Sequence, residues 1–139
     1  MKDTPKKFFL AGFIEGEGSL CISIKRNSTS KFGINVDPEF FLYQHKSARK
    51  ILELAREVFH TGTIYEKYGN KNVLVFAIRT RRCIKEKVIP FFEKYVMPFS
   101  QKFSKNFPII KKIVELEESG AHNKKEGMLQ ILKLVDELE

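Results

Sequence analysis

Hydrophobic positions change their period several times along the chain, and each change marks a new element. Thr4 and Pro5 open a first helix, since proline early in a helix forfeits no amide bond. Its body, Phe8-Phe9-Leu10-Ala11-Gly12-Phe13-Ile14, is apolar on every side. A helix with no polar face is expected to be buried all round, against its own domain and against something else. Gly16 and Gly18 are expected to end it.

From Ser19 to Arg26 the period drops to two, with Leu20, Ile22 and Ile24 on one face and Cys21, Ser23 and Lys25 on the other. Asn27-Ser28-Thr29-Ser30 is turn chemistry. Strand character resumes from Ile34 to Tyr43, with Pro38 predicting a bulge or an edge. Ile51, Leu52, Leu54, Ala55, Val58 and Phe59 then follow helical spacing, and Gly62 is expected to stop that helix. A second hairpin, Thr63–Tyr68 and Val73–Arg79, turns at Gly69-Asn70. Residues 81–95 read as a helix broken near Pro90. Phe103, Phe107, Ile110 and Val114 predict another helix, its start obscured by Pro108. Asn123 and Glu126 resemble a capping box, opening an amphipathic helix over about 123–138 through Met128, Leu129, Ile131, Leu132, Val135 and Leu138. The order is αββαββα with C-terminal helices added. The fold class is therefore α+β: a four-stranded antiparallel sheet with helices on one face and the other face free.

Length and composition narrow this picture. The 139 residues suit one domain, 1–139, with a core over about 4–118. Hydrophobic residues at 42% and aromatics at 12% exclude a disordered chain. No apolar run is long enough to cross a bilayer, and no signal or transit peptide is seen, so a soluble, non-exported protein is expected. Cys21 and Cys83 read as core thiols, without metal-site spacing. Lys and Arg number 25 against 17 Asp and Glu, a net +8, which calls for an acidic partner, nucleic acid first and an anionic membrane second. The excess is uneven. Residues 1–114 carry 22 basic against 10 acidic side chains (+12), and residues 115–139 carry 3 against 7 (−4). A polyanion-binding body thus has an acidic tail segment expected to face away from the partner.

Glu15 and Glu17 break the local rules. Carboxylates at a helix C-terminus oppose the macrodipole, at a few tenths to about 1 kcal/mol each. Broken rules concentrated at one spot point to function. Leu10-Ala11-Gly12-Phe13-Ile14-Glu15-Gly16-Glu17-Gly18-Ser19 resembles the signature of the LAGLIDADG homing endonucleases, with Phe for Leu, Glu for both Asp and Gly for the second Ala. The resemblance runs from about Phe8 to Leu116. It includes the element order, the Pro38-Glu39-Phe40…Gln44 segment and Pro90-Phe91-Phe92-Glu93-Lys94-Tyr95.

The resemblance implies a mechanism. Two motif helices would pack together, with Leu10, Ala11, Gly12, Ile14 and Glu15 at the dimer interface. Glu17, the last acidic position, would bind Mg²⁺, with Mn²⁺ as a substitute. Glu15 would be more structural. Gln44 would position solvent, and Lys102 would stabilise charge on the scissile phosphate, with Lys105 as its rival. The basic residue expected after Gln44 is missing from the nearest position, which Ala48 occupies, and Arg49 stands next to it. His45, His60 and His122 have no metal or triad spacing.

The free sheet face would enter the major groove. Parity assigns Cys21, Ser23, Lys25, Asn35 and Asp37 to it, with Tyr65, Lys67, Asn72 and Leu74 from the second hairpin. Asn27, Ser28, Ser30 and Lys31 would reach outer bases or phosphates. The leading expectation is a homodimeric endonuclease hydrolysing both strands of a long, near-palindromic double-stranded DNA site. The alternatives are a non-cleaving binder, such as a maturase acting on intron RNA, and a structural dimerisation module. The resemblance implies an intron-encoded protein working in a prokaryotic cytoplasm or nucleoid, or inside an organelle.

Overall fold

The computed structural model describes residues 3–139, so the first two residues of the expected domain lie outside it. Helix α1 (Thr4–Glu17) carries Pro5 in its first turn and leads directly into strand β1 (Gly18–Arg26). β2 (Ile34–His45), α2 (Lys50–Phe59), β3 (Thr63–Lys67) and β4 (Asn70–Ile78) follow. The four strands form one antiparallel sheet in the order β1-β2-β4-β3. The chain then runs helically from 81 to 96, with short α turns α3 (Arg81–Cys83) and α4 (Ile89–Phe91) alternating with π turns Ile84–Val88 and Phe92–Val96. α5 (Asn106–Glu118) and α6 (Lys125–Asp136) complete it. The αββαββα order and the added C-terminal helices are as expected.

Side chains of even parity in β1 and β2 meet the helices. Phe40, fully buried, sits edge-on to Phe59, Phe76 and Phe92 at 5.7, 6.5 and 5.7 Å between ring centres. Edge-to-face contacts of this kind add about 0.5–1.5 kcal/mol each beyond the area buried. Leu10, Ile14, Leu42, Leu52 and Ile84 close the same core. A second cluster, Val36, Ile113, Met128 and Ile131, docks α5 and α6 beneath the β1–β2 hairpin.

Several local expectations are corrected. Gly16 lies inside α1, and only Gly18 ends it, donating its N–H to the Ile14 carbonyl. A Cβ on Gly18 would stand 2.7 Å from that same oxygen, so the tight exit requires glycine. α2 ends at His60, in the left-handed region at φ 55°, rather than at Gly62. Gly62 is instead held against the Phe76 ring. Pro38 causes no bulge and pairs in register with Ile22. β4 pairing begins only at Phe40, so β2 has one open side at Pro38 and tolerates the missing N–H there. The helix through Pro90 is not broken, because π turns on either side carry the chain past the missing amide. The Asn123 capping box does not form. Asn123 ends a 3-10 turn, and Lys124 precedes α6 without a side-chain cap.

Candidate functional site

α1 divides its side chains between two environments. Leu10 and Ile14 are fully buried in the chain's own core and Ala11 nearly so, which removes them from any intermolecular surface. The all-round burial expected of this helix is also absent: Phe8 and Phe9 are 46% and 68% exposed. With Gly12, Phe13 and Gly16 they form an apolar stripe, and nothing lies within 4 Å of the Cβ position of either glycine. Of the five residues expected at an interface, Gly12 is the one fully on this surface. The stripe borders an apolar groove of about 1170 Å³ shared with Ile51 and Leu54 of α2.

The expected catalytic residues stand around the C-terminal half of α1. Glu17, the last residue of the helix, is exposed. Glu15 is half-buried, with Oε2 accepting the Lys102 backbone N–H at 3.3 Å and Oε1 shielded without a protein partner. That contact ties the 100–102 loop to α1. It brings Lys102 beside Gly18 and Ser19, where it lines a cleft with Phe103. Lys105 points elsewhere, its ammonium 2.6 Å from the Glu139 carboxylate. Gln44 flanks α1 on the opposite side, lining the apolar groove with Gly12 and Phe13. Its Oε1 accepts the His45 N–H at 2.8 Å. Ala48 borders the same groove, whereas Arg49 is paired with Glu53 at 3.1 Å.

Among the described residues no three His, Cys, Asp or Glu side chains cluster as a metal site. One exposed carboxylate at a helix end still suits a hard cation such as Mg²⁺, which keeps several waters and takes one or two carboxylates plus phosphate oxygens. Glu17 supplies one such carboxylate, and its oxygen chemistry fits that donor set.

On the free sheet face, register places Cys21 opposite Glu39, Ser23 opposite Asp37 and Lys25 opposite Asn35. Lys25, Tyr65 and Lys67 lie on this face as expected, with the Lys67 ammonium 5.6 Å from the Tyr43 ring centre. Burial, and after it the Glu39 charge, pushes the Cys21 thiol pKa up, so Cys21 presents a neutral thiol here. Leu74 is a correction: it pairs with Gln44 and Glu66, is 6% exposed and packs into the core. Asn72 shares its parity in β4 and sits exposed at the hairpin end, its N–H donating to Asn70 Oδ1. A register shift at Glu66/Lys67 upsets counting across that turn.

In the β1–β2 loop, Asn27 Oδ1 accepts from Thr29 N–H and Oγ1, and Ser30 Oγ donates to Asn35 Oδ1. Lys31 reaches the Asn123 carbonyl at 2.8 Å, fastening the loop to the α5–α6 connection. Asp37, at the open side of β2, lines a polar cavity of about 400 Å³ with Arg81, Glu117 and His122. Burial, partly offset by Arg81, pushes the Glu117 carboxyl up to about 7.

Sequence reasoning missed four residues of the free face. Glu39, Phe41 and Tyr43 continue the parity of Asn35 and Asp37 along β2, and Arg79 joins them through the β2–β4 register, which the local pattern of β4 does not announce.

Comparison with known proteins follows the same lines. The pattern of the LAGLIDADG endonuclease family matches residues 10–114. DNA endonuclease I-CeuI from Chlamydomonas moewusii is 47% identical over 134 residues, covering 95% of this chain and 62% of that protein. The chain thus spans less than two thirds of that relative. The structure of the group I intron-encoded homing endonuclease I-CeuI complexed with DNA superposes with a TM-score of 0.93 at 45% identity, covering 98% of this chain and 67% of that one. The homing endonuclease I-TnaI superposes with a TM-score of 0.85 at 34% identity, over 96% and 87% of the two chains. With the motif, the sheet topology and the family pattern all in agreement, this chain belongs to the LAGLIDADG endonuclease family.

Proposed function

We propose that two copies of this chain form a divalent-metal-dependent homing endonuclease that hydrolyses both strands of a long, near-palindromic DNA duplex. The observation that carries the reading is the exposed carboxylate of Glu17 at the end of α1, on a helix that has Lys102 in the cleft beside Gly18 and Ser19 and Gln44 in the groove beside Gly12 and Phe13. Relatives named as a DNA endonuclease and solved on DNA support it.

Each residue has a task in that reaction. The free sheet face docks in the major groove, with Lys25 and Lys67 adding positive charge. Glu17 offers oxygen to a hard cation. Mg²⁺, or Mn²⁺ in its place, would be held there by Glu17 and would supply Lewis-acid chemistry to the phosphate and to water. Lys102 sets its ammonium against the charge that grows on the phosphate oxygens, an effect strongest in a site shielded from solvent. Gln44 orients the attacking water by hydrogen bonding. Glu15, through the Lys102 backbone, keeps the lysine at the helix end. Two-fold protein symmetry maps onto a near-palindrome.

The test is incubation with Mg²⁺ or Mn²⁺ and a library of near-palindromic duplexes, with the cut ends sequenced. The expected result is cutting of a few related sequences, lost by more than about 100-fold in Glu17→Gln while binding persists. Full activity in that variant removes Glu17 from the metal site. Tight binding without cutting in either metal identifies a non-cleaving nucleic-acid binder instead.

A further inference from the structure

The free face of the sheet holds a carboxylate that DNA binding alone does not explain. Glu39 is 7% exposed, in the middle of β2, on the surface proposed to meet a polyanion. A buried, uncompensated charge would be costly, and a negative one would also repel phosphate. Glu39 is not uncompensated. Its Oε2 lies 3.2 Å from the Lys25 ammonium on one side and 3.9 Å from Arg79 Nε on the other, which leaves the trio with one net positive charge.

Arg79 is held at further points. Its Nη2 donates to the Tyr65 hydroxyl, and its guanidinium lies 5.3 Å from the Phe41 ring centre and 5.4 Å from that of Tyr65. Ala77, two residues before it on the same face, is small and 4% exposed, so the arginine can lie along β4 toward Tyr65. Long cationic side chains ordinarily move among many rotamers. This one is steadied by a carboxylate, a hydroxyl and two rings, while about half of it stays open to solvent. The Nη1 donors and one on Nη2 have no protein partner among those contacts. A planar fork with outward donors matches the O6/N7 edge of guanine in the major groove, the commonest specific contact arginine makes. The position favours a base over a phosphate. Arg79 follows the Phe40–Ile78 pair in the two central strands, whereas backbone contacts belong to the loops at the rim.

We propose that Arg79 is a specificity-determining residue that reads one guanine in each half of the target, and that Glu39 is the positioning residue that aims it, with Tyr65 as second support. The inference rests on the DNA-binding reading above and extends it to one base pair per half-site. Lys25, on the other side of Glu39, is held by the same carboxylate.

The experiment is selection from a randomised double-stranded DNA pool, bound in EDTA so that no strand is cut. The wild-type chain is compared with Arg79→Ala, Arg79→Lys, Glu39→Gln and Tyr65→Phe. Wild type is expected to enrich a site with one symmetric position where guanine is preferred roughly 10- to 100-fold. Arg79→Ala and Arg79→Lys should bring that position near parity and leave the others unchanged. Glu39→Gln and Tyr65→Phe should weaken the same preference by about 3- to 10-fold, since the fork remains but is no longer aimed. A purely structural role for Glu39 would instead lower affinity evenly across all positions. Tyr65→Phe alters an accessible hydroxyl, so it keeps the test decisive if Glu39→Gln fails to fold. An unchanged base preference in the Arg79 variants overturns the inference. So does a uniform loss with a salt dependence shallower by about one ion, the mark of a phosphate contact. If wild type enriches no sequence at all, the DNA-binding reading falls and this one with it. If wild type enriches a site and every variant enriches it equally, only the inference falls.

Discussion

Glu15 and Glu17 lie two residues apart on one helix and meet opposite surroundings, which separates their tasks. Glu15 is spent on the Lys102 amide, while Glu17 faces solvent. The same geometry separates two lysines that the sequence left as rivals. Lys102 follows the helix end, and Lys105 is committed to Glu139. Lys102→Ala is therefore expected to slow cleavage by about 100- to 1000-fold. Lys105→Ala should change it by less than about tenfold, because it removes only an exposed ion pair. Single-turnover cleavage of one target by both variants checks the order.

Glu117 supplies a second prediction at this scale. Its pKa rises from 4.5 to about 7, with burial as the main cause, Arg81 working against it, and Asp37 and Glu118 adding to it. The folded chain thus binds more protons than the unfolded chain between those values. Stability is highest below pH 4.5 as far as this group is concerned, and falls as pH rises from 4.5 through about 7. Glu117→Gln removes the charge that burial penalises. It should raise the Tm at pH 8 by about 3 °C or more and change it little at pH 5. Thermal melts at the two pH values decide it; an equal shift at both would locate the effect in packing rather than ionisation.

At the scale of elements, much was legible because it is local. Period-two alternation placed Cys21, Ser23 and Lys25 on one face of β1, and helical spacing placed Leu52, Ala55 and Phe59 in the core face of α2. What failed depended on contacts between distant residues. Parity counted across the β3–β4 turn puts Leu74 on the wrong face, because the register shifts at Glu66/Lys67. The His60 stop has no sequence mark, since a left-handed histidine is uncommon. Glu39 and Arg79 are ordinary charges until register sets them side by side. At the candidate site, the motif singles out Glu17, and the structure leaves its carboxylate exposed. The exposed stripe of α1 is not legible, because a fully apolar helix offers no polar side from which to tell inside from outside.

Gly127 shows the same limit and can be tested. Gly127 lies in the first turn of α6, where helix propensity alone says that alanine should gain up to about 1 kcal/mol over glycine. The structure predicts the reverse. A Cβ there would stand 1.9 Å from the Ala121 carbonyl oxygen, so α6 packs on the preceding 3-10 turn only with glycine. Gly127→Ala is expected to cost about 1–3 kcal/mol by forcing that turn away. Urea denaturation reads the sign directly, and a gain in stability would mean that α6 docks less closely.

For the whole molecule, the decisive quantity is how many chains make one active site. In the endonuclease proposed above, each chain brings one exposed motif carboxylate, and cutting two strands calls for two such sites about a symmetry axis. Each also leaves uncovered the stripe of Phe9, Gly12, Phe13 and Gly16, next to the groove shared with α2. The glycines allow a second backbone to come close, and the phenylalanines provide apolar area that water would otherwise wet. Joining two copies through this stripe would bring two α1 C-termini together, and with them two Glu17 side chains. Phe9 is the residue on which to test this, because it is 68% exposed and makes little contribution to the chain's own core. Phe9→Glu should leave the folding of the single chain within about 0.5 kcal/mol, as for most surface substitutions. In the dimer it would set two carboxylates against an apolar seam. Dimer dissociation should rise by more than about 100-fold, since a buried unpaired charge costs several kcal/mol. Sedimentation at micromolar concentration should then show a dimer for wild type and a monomer for Phe9→Glu, and double-strand cutting should disappear with the dimer. A wild-type chain that sediments as a monomer when bound to its DNA would remove the two-chain active site, whatever the variant did.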